Sequence, residues 1–180
     1  MATRSLIAVI NKKGEVKVAN YNQFDGYIEH IGVSVLKFIS NQKKMEKLEE
    51  NIENFTFTED IVREENAYYM NFLSSYLGVQ LLENIANMKK EKDRTLYNYF
   101  DFMKDSLFCE YAYVINFQKK QLEIFTGLVI EPHNSNPYFS GDVSYVQVAS
   151  DGTIYFPVKL VKTFQLSDLP TVEDFKKMFE

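Results

Sequence analysis

Of the side chains that commonly attack substrates or hold metals, the sequence offers two histidines, His30 and His133, and one cysteine, Cys109. The histidines lie far apart and no close-spaced ligand pair of the zinc type exists, so a metal site would need groups from unrelated segments. No Gly-x-Ser-x-Gly elbow presents a serine, and no glycine-rich loop is built to cradle a phosphate. Cys109 has no base near it in sequence and precedes Glu110-Tyr111-Ala112-Tyr113, a setting that suits a buried small apolar residue better than a nucleophile. The expectation is a chain without catalytic residues, metal or cofactor.

Two features remain. Asp25-Gly26-Tyr27 is the most motif-like, and it reads two ways. In one, Asp25 and Tyr27 line a ligand pocket at a strand-to-helix junction, with Arg4 as ion-pair partner of Asp25. In the other, Asp25 caps a helix and Gly26 supplies a positive φ to the turn. Capping explains the same residue types without a ligand and is the favoured reading, with Arg4 as a structural anchor. The second feature is a concentration of charge. Residues 46–66 hold eight acids, Glu46, Glu49, Glu50, Glu53, Glu59, Asp60, Glu64 and Glu65, against Lys47 and Arg63, a net −6 in a chain whose total is −5. The rest of the molecule is therefore +1. On a helix, Glu46, Glu49, Glu50 and Glu53 fall within an arc of roughly 100°, well round from the apolar stripe Met45, Leu48, Ile52. Such a row is the wet side of a surface helix or a binding face for a basic partner, toward which it steers by long-range attraction. The adjacent Tyr68-Tyr69 pair offers aromatic anchors of the kind found in interface hot spots, although core packing is the commoner use.

The elements that must position these residues belong to a globular chain. Its 180 residues are 46% hydrophobic and 25% charged, which excludes an intrinsically disordered or collagen-like chain. Tyr and Phe total 27 beside many Asn, Lys and Ile, a bias of AT-rich coding that raises aromatic counts without a functional cause. No basic stripe is present to neutralise phosphates, so direct nucleic-acid binding is not expected. A single cysteine forbids an intrachain disulfide and suits a reducing compartment. The first residues lack a secretory signal pattern and no run of eighteen apolar residues spans a membrane, so the expected location is the cytoplasm.

Along the chain, Ser5 to Ile10 and Glu15 to Tyr21 flank Asn11-Lys12-Lys13-Gly14 as a β-hairpin. A first helix is expected from about residue 28 to Ser40 and a second from Gln42 to Asn54. A long helix apolar round most of its circumference is expected from Asn66 to Met88, with Gly78 interrupting it, and a shorter one from Thr95 to Leu107. Glu110 to Phe117 and Leu122 to Thr126 make a second hairpin about Gln118-Lys119-Lys120. A loop spans 131–141. Val143 to Ala149 and Thr153 to Val161 flank Ser150-Asp151-Gly152 as a third hairpin, and Thr171-x-x-Asp174 caps a last short helix. Strands at both ends with helices between them predict one α+β domain over residues 1–180: a mostly antiparallel sheet built from N- and C-terminal hairpins, its buried face covered by a helical insert at about 41–108. The alternative is two subdomains, with the helical segment protruding from a β body.

Thr3-Arg4-Ser5-Leu6-Ile7-Ala8-Val9, then Tyr21-x-x-Phe24-Asp25-Gly26-Tyr27 continuing to Gly32 and Leu36, resembles a family of small uncharacterised phage and prophage proteins that begin with Thr-Arg-Ser, a hairpin and a Trp-Asp-Gly-Tyr-Pro turn. Glu110-Tyr111-Ala112-Tyr113 is similar to that family's C-terminal hairpin. Here Gln23 stands where His is common, Phe24 where Trp is and Ile28 where Pro is, so chemistry depending on that His is absent. The resemblance implies a phage or mobile-element origin and carries no catalytic residues. Proteins of that origin often bind a host protein, frequently part of a defence system such as CRISPR.

The functional expectation is accordingly a phage-encoded, non-enzymatic inhibitor that binds the basic channel of a host nucleic-acid-handling protein through the eight acids of the insert, its carboxylates imitating a phosphate row. The alternative is a binder of a small ligand or signalling nucleotide at Arg4, Asp25 and Tyr27. Calorimetry against nucleotides separates the two, since only the second gives heat without a protein partner.

Overall fold

The computed structural model describes residues 3–58, 76–89, 94–139 and 145–180. Glu59, Asp60, Glu64 and Glu65 of the expected acidic segment, residues 66–75 of the expected long helix, and residues 140–144 of the expected loop and third hairpin lie outside these. Strands β1 (Ser5–Ile10) and β2 (Val16–Asn22) pair antiparallel, with a bulge at Ile10. Asn11 closes their turn: its Oδ1 accepts from the backbone N–H groups of Lys13 and Glu15, at 3.0 and 2.8 Å.

A five-stranded mixed sheet runs in the order β2-β1-β5-β6-β9, with β5 at Tyr111–Asn116, β6 at Gln121–Thr126 and β9 at Lys159–Gln165. The α+β class is as expected, and strands from before and after the insert meet inside the sheet, where β1 and β5 lie parallel. The other three pairings are antiparallel. The apolar runs Leu6-Ile7-Ala8-Val9-Ile10 and Ala112-Tyr113-Val114-Ile115 fit this place, because a central strand covered on both faces needs apolar residues at successive positions.

One face carries Ile7, Val9, Val18, Tyr113, Ile115, Leu122 and Ile124, and four helices cover it. These are α1 (Val33–Ile39), entered through a wide turn at Ile28–Gly32, α2 (Gln42–Ile52), α3 (Val79–Ala86) and α4 (Val172–Lys177). Helix α2 buries Met45, Leu48 and Ile52 at the i, i+3, i+7 spacing that gives a helix one apolar stripe. Its Asn51 is buried as well and donates from Nδ2 to the carbonyls of Ile85 and Met88, at 2.7 and 3.1 Å, tying α2 to the C-terminal end of α3. Thr171 accepts from Asp174 N–H as the N-cap of α4.

The opposite face is buried too, which corrects the expectation of a single covered face. Leu6, Ala8, Ile10, Ala112, Val114 and Phe125 pack beneath a 3-10 turn at Phe100–Lys104 and a strap at residues 131–139. Asn136 pins the strap by donating to Val158 O and accepting from the N–H groups of Tyr138 and Phe139.

The insert is also less helical than its pattern suggests. Strands β3 (Phe55–Thr58) and β4 (Arg94–Tyr97) form a small parallel pair, so the helix expected over 95–107 is a strand followed by the 3-10 turn. Leu96 is buried by this pairing, and Asn98 bonds the N–H of Phe100, breaking helical continuation between the two. The third hairpin is smaller than expected. Strands β7 (Gln147–Val148) and β8 (Ile154–Tyr155) pair about Asp151-Gly152, then Pro157 ends the ladder, and the chain resumes as β9 against β6. The N–H groups on either side of Pro157 bond elsewhere: Phe156 to Val129 O, Val158 to Met103 O.

Candidate functional site

Helix α2 brings Glu46, Glu49, Glu50 and Glu53 out together on the side away from Met45, Leu48 and Ile52, because its apolar stripe turns inward against the sheet. The β1–β2 turn comes up beside them. Lys12 Nζ lies 2.8 Å from Glu49 and Lys13 Nζ 3.6 Å from Glu53, while Glu46 accepts from Gln42 Nε2 at 2.9 Å. The row is thus one surface, and lysines from a different element reach Glu49 and Glu53 in it. Lys44, on the same helix, is spent on Glu83 of α3 at 2.6 Å. Spacing within α2 carries no sign of the cross-element pairs, which arise only when the hairpin folds over the helix.

The segment Asp25-Gly26-Tyr27 does lie beside Arg4, since Gly26 N–H donates to Thr3 O at 2.9 Å. Its detail differs from either reading of the motif. Asp25, and not Gly26, takes the left-handed backbone, with φ of +56°. Gly26 is required by close approach: a Cβ there would sit 2.8 Å from Ser5 Cβ and 2.9 Å from Thr3 O. Asp25 does not cap a helix with its side chain; its carbonyl accepts from Ile31 N–H at 3.3 Å, and the turn's N-cap is Tyr27, with no side-chain bond. Tyr113, fully buried, donates its hydroxyl to Gly26 O at 2.8 Å and locks the turn to β5. No ion pair joins Arg4 to Asp25 among the described residues. The guanidinium lies over the Phe108 ring, 5.1 Å from its centroid, and the Arg4 N–H donates to Glu110. Tyr27 packs against His30.

Cys109 is buried. Burial, and then the nearby carboxylates of Asp105 and Glu110, push its thiol well above the usual range, which keeps it protonated and inert. His133 sits in the strap, where Nε2 meets Pro157 O at 2.8 Å and Nδ1 meets Ser135 Oγ at 2.9 Å. Among the described residues no group of three His, Cys, Asp or Glu side chains gathers as a metal site, and no helix is long and apolar enough to cross a membrane.

Sequence reading missed a polar network under the strap. Glu123, in the middle of β6 and 1% exposed, receives the Tyr138 hydroxyl on one oxygen and Lys119 Nζ, at 3.0 Å, on the other. Asn116 donates to the same tyrosine oxygen at 2.9 Å. Burial first, and then Glu123, push the Tyr138 phenol far above its ordinary value. Each polar group has a partner within the network, so the cluster fastens strap to sheet. The available signal was a lone acid inside the apolar run Leu122-Glu123-Ile124-Phe125. Comparison with protein-family models, with curated proteins and with solved structures finds no match to this chain.

Proposed function

We propose that this chain is a non-enzymatic interaction protein, of phage or mobile-element origin, that binds and inhibits a host nucleic-acid-handling protein, a CRISPR effector being the type of target, through the carboxylates of α2. The observation that supports the reading is the single outward face shared by Glu46, Glu49, Glu50 and Glu53. Lys12 and Lys13 reach that face at Glu49 and Glu53. Both lysines are largely exposed; the pair of Lys13 with Glu53 joins two exposed groups and contributes about 0–1 kcal/mol, so an arginine or lysine of a partner displaces it at small cost, while Glu49 is half-buried.

The test is affinity for a panel of purified CRISPR effectors over a range of salt. The expected complex weakens steeply with ionic strength. Reversal of Glu49, Glu50 and Glu53 to lysine weakens it more than tenfold, and the double change Lys12→Ala, Lys13→Ala strengthens it, because the carboxylates lose their internal competitors. Affinity that responds to neither set of changes removes the mechanism.

A further inference from the structure

At the end of the sheet opposite the β1–β2 turn, the segments entering β1 and β5 meet those leaving β2 and β6. Leu128 N–H donates to Ser106 O at 2.7 Å, Gly127 N–H to Glu110 O at 2.8 Å and Glu110 N–H to Arg4 O at 3.2 Å. Four large apolar side chains leave these segments for solvent: Phe24 at 58% exposure, Phe108 at 45%, Leu128 at 56% and Ile130 at 62%. A concentration of this kind on one end of a folded domain marks a contact surface more often than scattered exposed leucines do.

Leu128 adds an independent observation. Its φ is +56°, a conformation that a Cβ disfavours and that glycine adopts freely. Gly127 before it is fixed by its surroundings, since a Cβ there would collide with the carbonyl oxygens of Cys109 and Ser106. The fold accepts strain at Leu128, and the side chain gains no burial in return. Strain of this sort collects where a side chain serves binding.

Charge says what fits. Acids stand close by in the chain: Asp25 follows Phe24, Glu110 comes two residues after Phe108, and Glu131 follows Ile130. Arg4 is the cation of this end: its guanidinium lies over the Phe108 ring, and its backbone N–H donates to Glu110 Oε1. We propose that this end of the sheet docks a partner protein presenting an apolar anchor bordered by lysines or arginines. A second copy of the chain is the poorer occupant, because a two-fold contact sets the same acidic border against itself, and like charges facing each other oppose association. The surface is separate from the carboxylate row of α2, which stands by the β1–β2 turn, and the inference does not depend on that row.

The probe is a synthetic helical peptide with a Leu/Phe stripe bordered by arginines, titrated into the isotope-labelled full-length protein and followed by amide shifts; its control has the same stripe bordered by glutamates. The arginine peptide is expected to move the amides of Arg4, Phe24, Phe108, Leu128 and Ile130 and to bind at least tenfold tighter than the control. Leu128→Gly is expected to weaken it fivefold or more while the melting temperature stays level or rises, which a purely structural leucine would not do. Reversal of Glu49, Glu50 and Glu53 leaves this affinity within twofold. Equal response to the two peptides, shifts centred on α2, no binding, full affinity in Leu128→Gly, or a dimer in sedimentation that Leu128→Asp dissolves would each overturn the proposal.

Discussion

The two faces of the central sheet are closed by different physics. On the helical face, α1 to α4 lay apolar stripes on Ile7, Val9, Tyr113, Ile115 and Leu122, and contact is made by many interchangeable hydrocarbon surfaces. On the other, an irregular strap and a 3-10 turn carry the cover, and their place is fixed by a few polar bonds: Asn136 to Val158, Tyr138 to Glu123, His133 to Pro157. Regular helices satisfy their own backbone and can rest on apolar packing alone. An irregular strap cannot, and so it needs side chains that take up its N–H and C=O groups.

That contrast can be broken most forcefully on the helical side. Leu82→Ala, in the fully buried stripe of α3, should lower stability by about 3 kcal/mol in denaturant unfolding, through lost transfer energy and the cavity left behind. A loss under about 1 kcal/mol would mean that this face is looser than its packing implies. On the strap side, Asn136→Ala should cost about 2 to 3 kcal/mol, because it leaves the Val158 carbonyl and the Tyr138 and Phe139 N–H groups without partners. Hydrogen exchange should then rise in residues 131–139 before it rises in α2; uniform loss of protection would show that the two covers open as one unit.

Tyr138→Phe sharpens the comparison at about 1 kcal/mol, with a signature in pH. Burial raises the phenols of Tyr113 and Tyr138 above the ordinary value of 10.0. A group whose pKa is higher folded than unfolded contributes fully below the unfolded value, and its contribution is lost as pH rises beyond it, since the unfolded chain ionises first. Stability should therefore fall above pH 10, and Tyr138→Phe should flatten that fall by the equivalent of one proton. An unchanged slope would place the alkaline response elsewhere. The smallest effect belongs to Lys13→Ala, which removes an exposed pair with Glu53 and should shift unfolding by less than about 0.5 kcal/mol.

How much was legible follows the same division. Helix α2 was readable from Met45, Leu48 and Ile52 at helical spacing, and the β5–β6 hairpin from alternation about Gln118-Lys119-Lys120. Residues 94–104 misled, because Leu96, Tyr99, Phe100 and Met103 also fall at helical spacing; pairing with β3 and the bond from Phe100 N–H to Asn98 decided against a helix. Asp25 was readable as a turn residue but not as the one with positive φ, since that assignment follows from the space Ser5 and Thr3 leave for Gly26.

The sequence alone determined the class of the fold, its hairpins and the one-sided acids of α2, for these depend on periodicities of two and 3.6 and on turn chemistry within a few residues. Tertiary structure decided that β1 lies parallel to β5, that Lys12 and Lys13 stand against Glu49 and Glu53, and that Phe24, Phe108, Leu128 and Ile130 emerge at one end of the sheet. Each of these joins segments distant along the chain, and local preference carries no information about which distant partner will be near.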